Sequence, residues 1–204
     1  DPALAKAFAD GIAIEGIAKG AAMKQPKAAD AAAGPRKFRP FLEAAEAAAR
    51  FMTADGGPRI GALSYNGWDT HANEGAVAGN LAQALTGLDQ AIASLAAGLG
   101  PAWKDTVIVI LTEFGRTARI NGTEGTDHGT GTVAILVGGA LKGGRVVADW
   151  PGLRDNDLHE KRDLKATTDL RAVLKGLLRD HVRVDEAALA ARVFPDSVAV
   201  KPMA

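Results

Sequence analysis

Thr106-Val107-Ile108-Val109-Ile110-Leu111-Thr112 (TVIVILT) decides the fold. These residues are β-branched or apolar on both faces, as in a central parallel strand covered by helices on each side. Just upstream, Val77, Leu81, Leu85, Leu88, Ile92, Leu95 and Leu99 step by four and three, which predicts a helix over 76–99 with Asn80, Gln83, Asp89 and Gln90 on its outer face. Before that helix, the breaker Gly56-Gly57-Pro58 precedes a short apolar run from Ile60 to Tyr65, which reads as a buried strand. Strand, helix, strand implies a right-handed crossover, so the expected class is α/β: a doubly wound, mostly parallel sheet with flanking helices.

Downstream, Thr132 to Val137 predicts another strand, and Gly138-Gly139 and Gly143-Gly144 bracket a turn into Arg145–Ala148, as in a short hairpin. Thr167, Thr168 and Asp169 offer N-caps for a last long helix with Leu170, Val173, Leu174, Leu177 and Leu178 on its inner face, and a smaller helix follows near Glu186–Arg192. At the other end, Leu4, Phe8 and Ile12 predict an amphipathic helix over 2–19, residues 24–36 a linker, and Phe38, Phe41, Leu42 and Ala45 the buried face of a helix over 37–52. The 204 residues, 47% hydrophobic, suffice for one core. A single domain over 1–204 is expected, with a helical segment at 1–55, a sheet core with its loops at 58–150 and a helical segment at 151–204.

Charge excludes some partners. Lys plus Arg and Asp plus Glu are 24 each, and without a basic field or a long basic run nucleic acid is not an expected partner. Cysteine is absent, so any metal must use His, carboxylate or backbone oxygen. No apolar run reaches the roughly 18 to 20 residues that span a bilayer, and no signal peptide is visible, so the chain reads as soluble.

In a doubly wound sheet, ligands bind in loops at the carboxyl ends of the strands. Asn66-Gly67-Trp68-Asp69-Thr70-His71 follows one predicted strand and Thr112-Glu113-Phe114-Gly115-Arg116-Thr117 the other. A third cluster, Gly125-Thr126-Asp127-His128-Gly129, precedes the strand at 132–137. For His128 to reach the same rim, that strand must run antiparallel to the central one. Asp69, His71, Glu113, Asp127 and His128 then form a ligand set of three carboxylates and two imidazoles, suited to a divalent metal: Zn first, with Mn, Mg or Ca as alternatives. Arg116, the cation among these loops, suits an anionic ester oxygen.

Each cluster also has a plainer explanation. Asp69 can cap the following helix with His71 on the surface, Glu113 can pair with Arg116, and Asp127-His128 can be a polar turn. Joint occurrence on one expected rim favours the site. His159, among Asp157, Glu160 and Lys161, and His181, at a helix carboxyl end, are left outside it. Trp68 and Trp150 are candidates for pocket walls, although aromatics more often serve the core.

The motifs Gly67-Trp68-Asp69-Thr70-His71, Thr112-Glu113-Phe114-Gly115-Arg116, Gly125-Thr126-Asp127-His128-Gly129, and Gly143-Gly144 with Asp149-Trp150-Pro151 resemble a bacterial domain of unknown function, family 1501, placed in the alkaline phosphatase and sulfatase superfamily. The resemblance runs along nearly the whole chain and implies that superfamily's fold and a hydrolase-like metal centre. Asp69 and His71 are similar to the superfamily's Asp-x-x-x-His ligand pair at shorter spacing, and His128 to its later single His ligand, with Asp127 as ligand or orienter. Glu113-Phe114 stands where the enzymes usually show Asp-His; Phe cannot ligate metal, so one of two metal sites is expected to be missing or rebuilt. The resemblance is to the carboxyl-terminal half of longer, exported proteins whose first half carries the nucleophile. Thr70 and Thr126 lie near the ligands, but nothing singles out either as an attacking group.

The expected function is therefore a metal-dependent hydrolase-like domain acting on phosphate or sulfate esters, incomplete in its nucleophile, in a periplasmic or exported setting by resemblance. The alternative is a non-catalytic, metal-stabilised domain of the cell envelope that binds a glycan or a partner protein. A third reading is a bare structural scaffold. Self-association through an exposed strand edge is also expected of a truncated sheet.

Overall fold

The computed structural model describes residues 38–203; the expected first helix and the linker lie outside them. The chain divides into two compact units, whose described parts are 38–108 with 121–125 and 137–142, and 109–120 with 126–136 and 143–203.

In the first unit, helix α1 (Arg39–Thr53) packs on helix α2 (Asn80–Leu99). Their shared core is Ala45 and Ala49 from α1 against Ala91, Leu95 and Leu99 from α2. Small residues set this contact: a Cβ on Gly98 would stand 2.7 Å from that of Ala49. The buried stripe of α2 is therefore Ala84, Gly87, Ala91, Leu95 and Leu99. Val77 lies before the helix and is fully exposed (100%), and Leu85 is exposed too. Leu95 and Leu99 are buried as expected, while nearer the amino end the stripe turns to Ala84, Gly87 and Ala91, small residues that suit the close approach of the two helices.

The run Ile60–Tyr65 is not a strand: it has no sheet partner among the described residues, and Ile60 is 75% exposed. An apolar run of strand length becomes a strand only where a neighbour accepts its backbone hydrogen bonds. Strand β1 (Ile108–Ile110) lies within TVIVILT and is half-buried throughout. Before it, the 3-10 turn Gly100–Asp105 brings Trp103 onto the α1–α2 core.

Strands β2 (Gly115–Arg116) and β3 (His128–Gly129) form an antiparallel pair, and β4 (Ile135–Val137) pairs with β1. No hairpin forms at Arg145–Ala148, where Val146 and Val147 are exposed. In the second unit Asp169 caps helix α3 (Leu170–Asp180), its carboxylate accepting from the Arg171 N–H. The buried members of α3 are Lys175 and Gly176, while Leu170 is exposed and the other expected leucines and Val173 are half-buried. The cause is the tail. Lys175 Nζ donates to the carbonyls of Ser197 (2.6 Å) and Val200 (2.9 Å), the Met203 N–H donates to Ala172, and a Cβ on Gly176 would strike the Met203 carbonyl at 1.8 Å. Helix α4 (Glu186–Ala188), capped by Asp185, runs into a π turn at Leu189–Val193. No described helix is long and apolar enough to cross a membrane.

Candidate functional site

In the first unit, an aromatic anchor fixes the loop that carries Asp69 and His71. Tyr65 stacks on Phe41, meets Phe38 edge-on and receives Trp68 edge-on at 5.3 Å between centroids. Its hydroxyl donates to the Ala84 carbonyl of α2, and burial pushes the Tyr65 phenol up to about 12. Trp68 is thus half-buried against Tyr65, and the next residue is Asp69.

His71 Nε2 lies 3.0 Å from Asp69 Oδ1, both side chains about half exposed. The His71 backbone is clamped as well: its carbonyl accepts from Asn121 Nδ2 (2.9 Å) and Thr123 Oγ1 (2.7 Å), while the Asn73 and Glu74 N–H groups donate to Thr123 and Glu124. Asn121 Oδ1 in turn accepts from the Thr123 and Gly125 N–H groups. Gly125 is buried here, and any Cβ would stand 2.3 Å from the His71 carbonyl. Glycine is needed for this close approach.

In the second unit, the β2–β3 pair places Arg116 opposite His128 and Gly115 opposite Gly129. Glycines again permit the packing: a Cβ on Gly115 would meet the Gly131 carbonyl at 1.9 Å, and one on Gly129 the Arg116 carbonyl at 2.6 Å. Phe114 lies against the His128 imidazole, ring centroids 4.2 Å apart. Asp127 is held by its backbone, accepting from the Thr117 N–H (2.9 Å) and donating to Thr117 Oγ1 (3.1 Å). Arg116 Nε donates to Thr126 Oγ1 at 2.9 Å, and Nη2 to the Thr126 carbonyl. The guanidinium thus braces the loop before Asp127-His128. Glu113 is exposed and has no ion pair among the described residues, so the plainer alternative, a Glu113–Arg116 bridge, is not made.

Residues 4–194 match the model of a family described as a protein of unknown function, DUF1501. The chain belongs to that family. No curated protein and no solved structure matches it.

Several interactions of this DUF1501 chain were not anticipated from its sequence. Asn121 and Thr123 hold the His71 carbonyl, Thr126 occupies Arg116, and Arg162 and Asp163 bond around Thr130. Asp163 is only 3% exposed, although its neighbours His159-Glu160-Lys161-Arg162 have the composition of a solvated loop. The one available signal was the adjacent Arg162-Asp163 pair, which composition alone does not distinguish from surface charge.

The Asp69–His71 pair passes a simple test of fit to a divalent ion. Two donors each about 2.1 Å from one ion lie roughly 3.0 to 3.4 Å apart for octahedral to tetrahedral angles. The observed 3.0 Å meets that separation. The same distance suits an Nε2–H donating to the carboxylate, in which case Asp69 orients the ring.

Proposed function

We propose that this DUF1501 chain is a divalent-metal domain of hydrolase type, directed at phosphate or sulfate esters, with Asp69 and His71 as ligands in the first unit and Glu113, Asp127 and His128 as candidate ligands in the second. The single observation that carries the reading is the Asp69–His71 pair, its donor atoms 3.0 Å apart on a loop fixed by the Tyr65–Trp68 contact and by the Asn121 and Thr123 clamp. A bound ion would polarise an ester oxygen and stabilise an attacking oxyanion. The chain's own residues do the preparatory work. Asp69 presents a carboxylate beside the His71 nitrogen, Phe114 covers one face of the His128 ring, and Arg116 holds the loop entering Asp127. Placement in the alkaline phosphatase and sulfatase superfamily, correspondence to the carboxyl-terminal half of longer members and a periplasmic or exported setting are part of this proposal, supported by the motif resemblance.

Elemental analysis of the purified chain tests it. The expected result is about one equivalent of metal or more, lost in His128→Ala and Glu113→Ala variants. Absence of metal after reconstitution with Zn, Mn, Mg and Ca would overturn the reading.

One observation favours a second reading, a metal-stabilised binding domain without turnover. Arg116 is bonded to Thr126 through both Nε and Nη2, so the cation expected to hold an ester oxygen already serves the loop. Metal binding with no hydrolysis of aryl phosphate or aryl sulfate would select this reading over the first.

A further inference from the structure

We propose that the hairpin turn at residues 159–163, through Arg162 and the buried Asp163, is the positioning element that sets the place of His128; the inference rests on the reading of His128 as a metal ligand.

The turn is built locally. The His159 carbonyl accepts from the Arg162 and Asp163 N–H groups, both at 3.0 Å, and the His159 N–H donates to the Asp163 carbonyl at 2.8 Å. At its tip Glu160 (φ 51°) and Lys161 (φ 57°) both take the left-handed conformation. Neither is glycine, asparagine or aspartate, the residues that tolerate this region. Two strained residues in succession persist only where surrounding contacts over-determine the turn.

Those contacts run to both sides of the β2–β3 pair. On the β2 side the Ala118 N–H donates to the Arg162 carbonyl (3.0 Å), and Asp163 bridges Thr117 in antiparallel fashion. On the β3 side the Thr130 hydroxyl donates to Asp163 Oδ2 (2.8 Å), the Gly131 N–H donates to the Leu164 carbonyl (3.0 Å), and Arg162 Nη2 makes a long contact of 3.5 Å with the His128 carbonyl. Arg162 grips Asp163 with two bonds, Nε to Oδ1 (2.8 Å) and Nη2 to Oδ2 (3.1 Å), a fork that fixes the carboxylate's direction. The anchor is thus a buried, twice-bonded carboxylate whose remaining bond holds the hydroxyl two residues beyond His128. A Cβ on Gly131 would strike Leu164 at 2.6 Å, so turn and loop meet backbone to backbone.

A residue acting on a metal through a neighbour typically changes affinity by about 10 to 100-fold when removed. The test uses the full chain with Co²⁺ as probe, followed by visible absorption, and circular dichroism as the check on folding. Asp163→Asn and Thr130→Val are each expected to weaken Co²⁺ binding by about 10-fold or more with the fold retained, and Thr130→Ser to restore it. Unchanged affinity in Thr130→Val, or equal loss in Thr130→Ser, would overturn the proposal, and the Thr130 pair decides if Asp163→Asn does not fold. If the wild-type chain binds no Co²⁺, the metal reading fails by itself. The turn is then judged by the His128 imidazole resonances and by amide exchange at Ala118 and Gly131. A changed His128 environment with faster exchange in Thr130→Val supports the positioning role, and unchanged spectra reject it.

Discussion

Tyr65 lies flat on Phe41, 4.0 Å between ring centroids and 5° between planes. This stack joins α1 to the segment leading into Asp69, and the Tyr65 hydroxyl joins the same segment to α2 through Ala84. The relationship has a pH consequence. Folding raises the phenol from about 10 to about 12, so its neutral form is favoured in the folded chain. That stability is complete below pH ~10 and is lost as pH rises through the folded value. Unfolding by urea at pH 9 and pH 12 should show an alkaline loss that is smaller in Tyr65→Phe. The variant should also lose about 1 kcal/mol at neutral pH with its hydrogen bond. An identical alkaline slope in both chains would refute the assignment to Tyr65.

Gly87 and Gly125 are required by space. A Cβ on Gly87 would stand 2.5 Å from the Tyr65 hydroxyl and 3.0 Å from Phe38, and one on Gly125 would meet the His71 backbone at 2.3 Å. Gly87→Ala should therefore cost about 1–3 kcal/mol as overpacking. Gly125→Ala should cost as much and also reduce metal retention, because the Asn121 and Thr123 bonds to His71 depend on that approach. Thermal unfolding with metal analysis separates the two variants. Equal metal content in Gly125→Ala and wild type would show that the clamp does not govern the His71 side of the site.

The turn at Glu160-Lys161 makes a prediction of opposite sign. Asn-Gly accepts consecutive left-handed residues with little strain, so Glu160→Asn with Lys161→Gly should stabilise the chain by about 1 kcal/mol or more. The expected rise in Tm is roughly 2–4 °C per kcal/mol for a chain of this size. A lower Tm would mean that the native side chains contribute more than the strain costs.

How far the sequence could be read depended on whether the deciding interaction was local. The Asp169 cap of α3 and the Asp185 cap of α4 are satisfied within three residues, and both helices lie where the pattern places them. The face that α3 buries was not legible: Lys175 rather than Leu174 is enclosed, because carbonyls from Ser197 and Val200, over twenty residues away, receive its ammonium. The site divides in the same way. Asp69 and His71, two residues apart, were identifiable as a pair and do approach each other. The burial of Asp163 depends on Thr130, 33 residues distant, and no spacing rule anticipates it.

Asp163 also gives a prediction in acid. The bonds from Arg162, and next that from Thr130, hold its carboxyl below the usual range against the burial that would raise it. A carboxylate with a lowered folded value contributes stability that is present above its unfolded value of about 3.9 and is lost as pH falls through the folded one. Stability attributable to Asp163 should thus be flat from neutrality down to about pH 5 and decline below it, with a shallower acid decline in Asp163→Asn. Urea midpoints at pH 3 and pH 6 for both chains measure the difference; a parallel decline would assign the acid sensitivity to other carboxylates.

The tail provides the last test. Lys175→Met keeps most of the apolar stem but removes the donor to the Ser197 and Val200 carbonyls. The Ser197 carbonyl keeps the Val200 N–H, whereas the Val200 carbonyl loses the ammonium; an acceptor so stripped costs about 1–3 kcal/mol, and the penalty should fall on the tail first, because its remaining ties to α3 include the Met203 to Ala172 bond. Limited proteolysis should then cut within residues 195–203 earlier in Lys175→Met than in wild type, before the rest of the second unit is attacked. Lys175→Arg retains donors but is larger in a space already closed by Gly176 against Met203, so it should restore little. If both variants resist cleavage as the wild type does, the tail is held by its apolar contacts, and the ammonium is only a satisfied passenger in the packing.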